Sequence, residues 1–325
     1  MIEVMPAGPV SAPGAPVLAL DVGGTKLAAA LVDPGGRILR SERMPTPHDI
    51  DGEALGDRLV ALAERVLAGT AVGGVGVGAG GPMRWPEGEV SPLNIPAWRG
   101  FPLRARLQRR WPDIPVRVHN DAIALAVAEH WRGAGRGRQD VLGMVVSTGV
   151  GGGLVLGGRV HDGRSGNAGH VGHVVVDPAG PVCACGGRGC LESVARGPAV
   201  VAWALDQGWR QGAPNVTALT GRELTDDARR GHAVARAALV RAGGALGVAL
   251  ASATALLDLD VVVIGGGLSQ AGPLLFDPLQ AAFRRHARMA FTRELAIVPA
   301  ALGQEAGLVG AAALVLAGDR YWSAD

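Results

Sequence analysis

The chain contains little cysteine, few aromatic residues and almost no lysine. Among its 325 residues are three cysteines and one tyrosine, aromatic residues make up 4% of the total, and Lys26 is the single lysine against thirty arginines. Charged residues account for 18%, and the formal net charge at pH 7 is only +2. Because the arginines are scattered singly and nearly balanced by acidic residues, the sequence shows no footprint of a nucleic-acid-binding protein.

The sequence also shows no secretory signal and no apolar run that approaches the roughly 20 residues of a membrane span. We therefore expect a cytoplasmic protein with neither a membrane nor a nucleic acid as its partner. Residues 1–16 are rich in proline, alanine and glycine, so we predict a disordered leader that is too short for a DNA-binding helix-turn-helix. Hydrophobic residues make up 48% of the chain, which is enough for two lobes that each have a core.

The cysteines are clustered. Cys183, Cys185 and Cys190 lie within eight residues, and His173 lies ten residues before the first of them. Three thiolates and an imidazole at this spacing can close a tetrahedral zinc site, with Gly186, Gly187 and Gly189 giving the backbone freedom to turn back on the ion. Such a site has no open coordination position, so we expect a structural zinc. A disulfide with one spare thiol is the alternative, which the odd number of cysteines disfavours.

The chain opens with a strand, a glycine turn and a second strand. In a Rossmann unit the glycine turn leads into a helix, so this opening is of another kind. The turn Asp21–Lys26 separates the first two predicted strands. The predicted elements of the first half are strands at 17–20, 27–32, 37–43, 72–77 and 115–118, and helices at 53–68 and 122–131.

The same plan recurs in the second half. A strand at 141–146 is followed by the turn 147–153 and a strand at 154–156, which indicates an internal duplication and predicts two related lobes across a cleft. A third glycine cluster, Gly265–Gly267, follows a strand at 261–264 and precedes a helix from about residue 271. Further predicted helices are 232–257, where Gly243, Gly244 and Gly247 would let a neighbour pack closely, and 304–317.

Each glycine turn follows a buried strand and offers backbone N–H groups to a polyphosphate. Thr25 and Thr148 could add hydroxyl donors. A single turn of this kind is more often only a tight reversal. Three in one chain, two of them in matching places, favour a nucleotide bound between the lobes.

Taken together, these segments resemble the ROK family of bacterial sugar kinases and sugar-responsive repressors. The matching segments are Asp21-Val22-Gly23-Gly24-Thr25-Lys26, Asn120-Asp121, the turn 148–153, Gly172-His173 with Cys183-x-Cys185-Gly186-x-x-Gly189-Cys190-x-Glu192, and Gly265-Gly266-Gly267. The resemblance extends from about Val17 to Ala317. It implies an α/β, two-lobed actin-like ATPase fold with ribonuclease-H-like lobes and a structural zinc loop.

The resemblance also implies a domain organisation and cofactors. Residues 17–121 would form the N-terminal lobe, with helix 304–317 packing back on it, and residues 122–303 would form a larger lobe that carries the zinc loop. ATP and Mg²⁺ would bind between the lobes, and a sugar 6-hydroxyl would accept the phosphoryl group. Relatives in the family indicate a homodimer or homotetramer.

Individual roles follow from the same resemblance. Asp121 would be the general base, although Asn120-Asp121 could equally cap the helix that follows. Asp21 would hold Mg²⁺ through water. His173 would use one ring nitrogen on zinc and present the other to the sugar. The sugar side would comprise Asn94, Asn120, Asp121, His170, His173 and Glu192. The ATP contacts would be Asp21, Gly23, Gly24, Thr25, Lys26, Thr148, Gly149, Gly151, Gly265, Gly266 and Gly267.

One position departs from the family pattern. The sugar kinases usually have Glu-x-x-His where this chain has His170-Val171-Gly172-His173. A neutral histidine offers one acceptor and one donor in place of an acceptor-only carboxylate, so the preferred acceptor need not be glucose. The alternatives are a kanosamine-like amino sugar, a valiolone-type C7-cyclitol phosphorylated on its 7-hydroxyl, and a non-catalytic sugar-responsive regulator.

Overall fold

The computed structural model describes residues 14–210 and 219–322, so residues 1–13 of the predicted leader lie outside the described part. The chain divides into two compact units. Unit 1 comprises Met1–Gln139, Gly153–Gly169 and Ala301–Asp325. Unit 2 comprises Asp140–Gly152 and His170–Ala300. The predicted boundary at residue 121 differs from this division, which groups residues 122–139 with unit 1.

Strands and helices alternate along much of the chain. The strands are β1 (Val17–Val22), β2 (Lys26–Val32), β3 (Ile38–Pro45), β4 (Val75–Ala79), β5 (Met83–Arg84), β6 (Glu89–Val90), β7 (Val116–Asn120), β8 (Val141–Val146), β9 (Val150–Leu156), β10 (Arg159–Val160), β11 (Val261–Gly265) and β12 (Ala296–Pro299). The helices are α1 (Gly52–Leu67), α2 (Leu103–Arg110), α3 (Asp121–Arg132), α4 (Leu191–Ala195), α5 (Gly197–Asp206), α6 (Gly221–Arg229), α7 (Ala233–Leu257), α8 (Pro273–His286), α9 (Ala306–Leu316) and α10 (Gly318–Trp322).

The sheet of unit 1 has the strand order β3-β2-β1-β4-β7. The first three strands are antiparallel, as the predicted strand-turn-strand opening requires, and β1, β4 and β7 are parallel. The carboxyl ends of β1, β4 and β7 therefore lie at the same edge. Strands β1 and β4 are almost wholly buried, because α1 packs near one face of the sheet and α9 packs on the other.

Two glycines let the helices of unit 1 approach closely. A Cβ on Gly76 of β4 would overlap the carbonyl of Ala311 in α9, and one on Gly310 would overlap the carbonyl of Ala124 in α3. Helix α9 therefore packs against both β4 and α3. Its first turn lies beside the carboxyl end of β1, where Asp21 is found.

The second sheet has the order β10-β9-β8-β11-β12, and the boundary between the two units falls within β9. Strands β8, β11 and β12 are parallel, and β9 and β10 form an antiparallel hairpin. In chain order this is the same arrangement as in the first sheet. The internal duplication predicted from the sequence is therefore present in the strand topology.

Helix α7 corrects the expectation that no apolar segment of the chain approaches the length of a membrane span. By length and composition it could cross a membrane, since its mean hydropathy reaches 1.5, yet 56% of the relevant window is buried inside the protein. Gly243 and Gly247 lie against the backbone of α8, where a Cβ on Gly243 would come within 2.6 Å of the Leu275 carbonyl oxygen. Nothing lies within 4 Å of a Cβ on Gly244. The length and apolar character of α7 thus serve the core of unit 2.

Other boundaries differ locally from the prediction. The helix expected from about residue 271 begins with a 3₁₀ turn at Leu268–Ala271, and α8 starts only at Pro273. Gly272 has φ of 60° and ends the 3₁₀ turn. The sequence reasoning also missed β5, β6, β12, α2, α4, α5 and α6, which are short or lack a clean apolar period.

Candidate active site and metal centre

The first glycine turn links β1 to β2 and is held by its own backbone and by Thr46. The Gly23 N–H donates to the Lys26 carbonyl at 3.0 Å, and the Thr46 hydroxyl donates to the Gly23 carbonyl at 2.7 Å. Thr46 is buried, whereas Thr25 is exposed at the tip of the turn. Its own backbone and Thr46 therefore hold the turn in place, and the Thr25 side chain remains exposed to solvent, where it could contact a ligand.

Asn94 lies against this turn. A Cβ on Gly24 would overlap the Cβ of Asn94, so the two segments touch at a residue that has no side chain. The loop that carries Asn94 is fixed by Arg99, whose guanidinium donates to the carbonyls of Pro92 and Ile95. Trp98 of the same loop is fully buried, and its indole N–H donates to the Gly52 carbonyl at 2.9 Å. It is a core residue.

Asp21 occupies the carboxyl end of β1, pairs with Gly78 of β4 and lies beside the first turn of α9. A Cβ on Gly307 would come within 2.7 Å of Asp21 Oδ2. Burial, and then the negative charge of Asp121, raise the pKa of Asp21 to about 6, partly offset by Lys26 and Arg43. A carboxylate in this setting gains from a nearby cation.

Asn120 and Asp121 lie at the end of β7, in the same sheet as Asp21. Both side chains accept a hydrogen bond from the Ala122 N–H, with distances of 2.9 Å to Asn120 Oδ1 and 2.8 Å to Asp121 Oδ1. The helix-capping role that the sequence offered as the alternative is therefore real. It does not exclude chemistry, since each group has a second polar atom, and Asp121 is close enough to Asp21 to raise its pKa.

The second and third glycine turns lie together in unit 2. They follow the neighbouring parallel strands β8 and β11, and a Cβ on Gly267 would come within 3.7 Å of the Ser147 hydroxyl. Gly266 has φ of 95° and packs on the Val146 backbone. Thr148 is exposed, as Thr25 is in the first turn. The two turns present backbone groups side by side, as a polyphosphate site would require.

The second turn is shorter than predicted. The Ser147 N–H donates to the Gly149 carbonyl at 2.9 Å, and β9 already begins at Val150. Gly151 and Gly153, expected in the turn, are strand residues. Gly153 is a glycine because a Cβ there would lie 2.5 Å from the Cα of Ile123, so a helix packs directly on the strand. If Gly151 contacts ATP as predicted, it does so through the backbone of β9 and not from a loop.

Glu192 lies in the first turn of α4 and accepts a hydrogen bond from the end of the second glycine turn. Its Oε2 accepts the Val150 N–H at 2.8 Å, and a Cβ on Gly149 would lie 2.9 Å from the same oxygen. The sequence predicted a sugar ligand and gave no sign of this contact. Glu192 therefore connects the segment after the cysteines to the predicted phosphate turn.

His170 and His173 flank a 3₁₀ turn, Val171–His173. Their ring centroids are 6.3 Å apart with an interplanar angle of 18°, so the rings face the same way without close stacking. His173 Nδ1 points to Cys183 Sγ at 3.8 Å, which leaves Nε2 as the nitrogen available to a substrate. Gly172 permits this turn, because a Cβ there would overlap the Val150 carbonyl.

His173, Cys183, Cys185 and Cys190 form the predicted cluster. One possible ligand atom from each lies within 4.8 Å of the others, and Cys185 Sγ and Cys190 Sγ are 3.8 Å apart. A tetrahedral ion with Zn–S bonds of about 2.3 Å needs sulfur atoms about 3.8 Å apart, so the residues fit zinc. All three cysteines are free thiols, which removes the disulfide alternative.

The backbone of the loop explains this geometry. Cys183 N–H donates to the Gly187 carbonyl at 2.8 Å, and Gly186 and Gly189 have φ of 90° and 69°. Gly187 has an ordinary φ, so only two of the three predicted glycines supply a left-handed conformation. Hydrogen bonding from Gly187 lowers the pKa of Cys185, whereas burial raises that of Cys190 to about 12. To serve as a zinc ligand, Cys190 would have to be in its thiolate form.

Each unit brings together its own share of the predicted residues. Unit 1 holds Asp21, the first glycine turn, Asn94, Asn120 and Asp121. Unit 2 holds the other glycine turns, Glu192, His170 and the metal cluster. Sequence reasoning missed Thr46, Arg99 and the pair His119–Asp162. A histidine before Asn-Asp was the one visible signal for that pair.

Comparison with known proteins places the chain in a family. The ROK family model matches residues 17–317. The glucokinase of Streptomyces coelicolor is 34% identical over 310 residues, which are 91% of this chain and 96% of that protein. The N-acetylmannosamine kinase of Yersinia pseudotuberculosis is 37% identical over 256 residues, 78% of this chain and 83% of that protein.

A solved structure is similarly close. The ROK family glucokinase of Streptomyces griseus, crystallised with glucose and AMPPNP, aligns with a TM-score of 0.82 and 35% identity. The alignment covers 92% of this chain and 98% of that one. The predicted actin-like ATPase fold with a His–Cys cluster is thereby confirmed.

Proposed function

We propose the acceptor and the residue roles from one premise: the chain belongs to the ROK family, and its activity is that of an ATP-dependent sugar kinase. The γ-phosphate of ATP is transferred to the primary, 6-type hydroxyl of a hexose or hexose-like polyol. Asp121 accepts the hydroxyl proton. The proposed sugar ligands are Asn94, Asn120, His170, His173 and Glu192.

The observation that supports these roles is the relation between Asp21 and Asp121. Both carboxylates lie at the carboxyl ends of parallel strands, and the charge of one raises the pKa of the other. Phosphoryl transfer needs one carboxylate to hold the metal and another to take the hydroxyl proton, with little other covalent chemistry. Gly78 of β4 lies between the two strands, pairing with Asp21 of β1 and with His119 of β7.

Asp21 is the proposed Mg²⁺ partner, through water. Its raised pKa fits a group whose charge a divalent cation would compensate. When bound, Mg²⁺ would neutralise charge on the phosphates. The other proposed ATP contacts are backbone and hydroxyl groups of Gly23, Gly24, Thr25, Lys26, Thr148, Gly149, Gly151 and Gly265–Gly267.

Zinc has a structural part in this proposal. The cluster of His173 and the three cysteines supplies four ligands and keeps no open position for water. With Nδ1 held at the metal, His173 would present Nε2 to the acceptor. The cluster also fixes the loop that ends in Glu192, which bonds to the second glycine turn.

The acceptor class is a hexose, and its identity depends on His170. The relatives include a glucokinase and an N-acetylmannosamine kinase, both of which act on six-carbon sugars with a primary hydroxyl. His170 replaces the usual glutamate of the family at a position next to His173. A kanosamine-like amino sugar or a valiolone-type C7-cyclitol, phosphorylated on its 7-hydroxyl, is therefore the second candidate. A sugar-responsive regulator without catalysis is less well supported, because Asp121 is retained.

The test is a coupled ATP-consumption screen. Purified protein with Mg²⁺ is offered glucose, mannose, N-acetylmannosamine, kanosamine and valiolone, and the phosphorylated product is located by NMR. Turnover on a six-carbon or C7 acceptor at its primary hydroxyl supports the proposal. Binding of a sugar without ATP consumption on any of the five would instead favour the regulator.

We also propose that the protein is cytoplasmic, because a kinase of this kind draws on the cytoplasmic ATP pool. Its proposed assembly, a homodimer or homotetramer, rests on the family resemblance. Light scattering after size-exclusion chromatography gives the assembly directly. A single species at the monomer mass of 33.0 kDa at micromolar concentration would rule out the assembly.

A further inference from the structure

A buried histidine, His119, lies next to the proposed catalytic segment Asn120-Asp121 and contacts Asp162. His119 precedes Asn120-Asp121 at the end of β7 and is 2% exposed. Its Nε2 lies 2.7 Å from Asp162 Oδ1, and the Asp162 side chain is 11% exposed. None of the roles proposed above uses this pair.

The hydrogen bonds fix the tautomer of His119. The Asn120 N–H donates to His119 Nδ1 at 2.8 Å, so Nδ1 must carry a lone pair. The ring proton is therefore on Nε2, where it is donated to Asp162. Strand β7 is at the edge of its sheet, so a backbone N–H that points away from β4 finds no strand partner. His119 supplies the missing acceptor at the residue before Asp121.

Two tryptophans pack near the pair. The ring centroids of Trp85 and Trp322 lie 5.8 Å and 5.7 Å from that of His119. Trp322 also donates its indole N–H to Asp162 Oδ2 at 2.8 Å, so both carboxylate oxygens are engaged. The imidazole therefore cannot turn without breaking several contacts.

We propose that Asp162, acting through His119, is a positioning residue that holds the Asn120–Asp121 backbone in register for phosphoryl transfer. This inference depends on the proposed role of Asp121. Asp162 fixes the orientation of the ring, the ring accepts the Asn120 N–H, and Asp121 is the next residue along the chain. A displacement of about 1 Å at a reacting group costs on the order of a hundredfold in rate, so such a support acts on turnover.

Two substitutions of His119 separate the two bonds. His119→Asn keeps an acceptor near the Nδ1 position and loses the donor to Asp162, whereas His119→Gln keeps a donor near Nε2 and loses the acceptor. We expect His119→Gln and Asp162→Ala to lower kcat by about ten- to hundredfold, with KM for ATP and for glucose or N-acetylmannosamine nearly unchanged. His119→Asn should retain more activity than His119→Gln. The double variant His119→Gln/Asp162→Ala should have a kcat little lower than that of either single variant, because both changes remove the same support.

His130 provides the matched control. It is also buried in unit 1, and its two ring nitrogens lie 2.7 Å from the Tyr321 hydroxyl and 2.8 Å from the Arg138 carbonyl. Tyr321 is adjacent to Trp322 on α10, so both histidines support the same helix. His130→Gln should lower the melting temperature about as much as His119→Gln while leaving kcat at the wild-type value.

An NMR readout keeps the test independent of the acceptor. In ¹⁵N-labelled protein, His119 should show an unprotonated Nδ1, and the Asn120 amide should exchange with solvent faster in Asp162→Ala than in the wild type, because the ring that accepts its hydrogen bond is no longer held by Asp162. Unchanged exchange of the Asn120 amide, or wild-type kcat in Asp162→Ala beside an inactive Asp121→Asn, overturns the positioning role and leaves the proposed function standing. An active Asp121→Asn overturns both. Equal losses of kcat in His119→Gln and His130→Gln show a merely structural effect and also overturn it.

Discussion

Gly24 and Asn94 are packed so closely that a Cβ on Gly24 would overlap the Cβ of Asn94. One residue belongs to the turn proposed to hold phosphate, and the other belongs to the loop proposed to hold the sugar. The glycine at this position is thus required by a neighbouring loop as well as by the turn itself. The proposed nucleotide and sugar contacts of unit 1 share a direct packing contact.

Gly24→Ala should therefore impair acceptor binding. Overpacking of this kind costs about 1–3 kcal/mol, and the added methyl group displaces Asn94. We expect KM for the acceptor to rise roughly 5- to 150-fold, more than KM for ATP, in steady-state assays. Asn94→Gly removes the Cβ that the new methyl group would overlap. The melting temperature of the double variant Gly24→Ala/Asn94→Gly should therefore be no lower than that of Asn94→Gly alone. A rise confined to KM for ATP would contradict this coupling.

Asp121→Asn should lose catalysis and keep the fold. The asparagine oxygen can still accept the Ala122 N–H that Asp121 Oδ1 accepts at 2.8 Å, but it cannot take a proton. Losses at a general base are about 10²- to 10⁴-fold, and kcat in the coupled assay should fall by that amount. Circular dichroism and the melting temperature should stay close to wild type. Near wild-type turnover would refute the assignment.

Purified protein should contain one zinc ion per chain by plasma mass spectrometry. Cys185→Ser should lose the metal, because three ligands remain, and its melting temperature should fall as KM for the acceptor rises. Val182→Ala is the control, since Val182 is in the same loop and 64% exposed. Freshly prepared wild-type protein without zinc, or a Cys185→Ser variant that keeps stoichiometric zinc, would count against the site.

Asp21 should make the magnesium-free protein less stable as pH rises. Its folded-state pKa of about 6 lies above the ordinary 3.8, so the folded protein holds the proton more tightly than the unfolded chain. The resulting stabilisation is fully present below about pH 4 and is lost as pH rises through about 6. One pKa unit corresponds to about 1.4 kcal/mol, so this shift corresponds to at most about 3 kcal/mol of unfolding free energy. The partial solvent exposure of Asp21 reduces the expected effect below that limit.

The measurement is urea unfolding of wild type and Asp21→Asn in magnesium-free buffer. Asn cannot ionise, so the variant should match wild type below about pH 4 and exceed its stability by about pH 7, although it should be inactive with ATP. A difference between the two proteins that stays constant across this range would contradict the assignment of the pKa to Asp21.

His170→Glu should shift acceptor preference toward glucose. A carboxylate offers only acceptors, whereas a neutral imidazole offers one acceptor and one donor, so sugar hydroxyls left unpaired by His170 would regain a partner. An unpaired buried hydroxyl costs about 1–3 kcal/mol, so kcat/KM for glucose relative to the best wild-type acceptor should rise roughly 5- to 150-fold. His48→Glu, at an exposed site of unit 1, adds the same charge and should change nothing. Strong wild-type glucokinase activity that His170→Glu weakens would show that His170 does not set specificity.

Local sequence signals located the metal cluster and the three turns. Cys183, Cys185 and Cys190 lie in one short loop, so spacing alone restricts their geometry, and each glycine turn follows a recognisable apolar strand. The helix-capping use of Asn120 was also visible from sequence, because an N-cap is a local arrangement. Repetition of strand, turn and strand predicted an internal duplication, and the two five-stranded sheets have the same strand order.

Contacts between distant segments were decided only in three dimensions. The bond from Val150 to Glu192, the packing of Asn94 on Gly24, and the pairing of His119 with Asp162 each join segments whose separation no local pattern encodes. Gly151 shows the same limit, since a run of glycines is compatible with a loop or with a strand against which a helix packs. The sequence thus determined which chemical groups are present and which short segments can hold them. The tertiary structure decided which of them meet, because the packing of side chains brought together by the fold sets those distances.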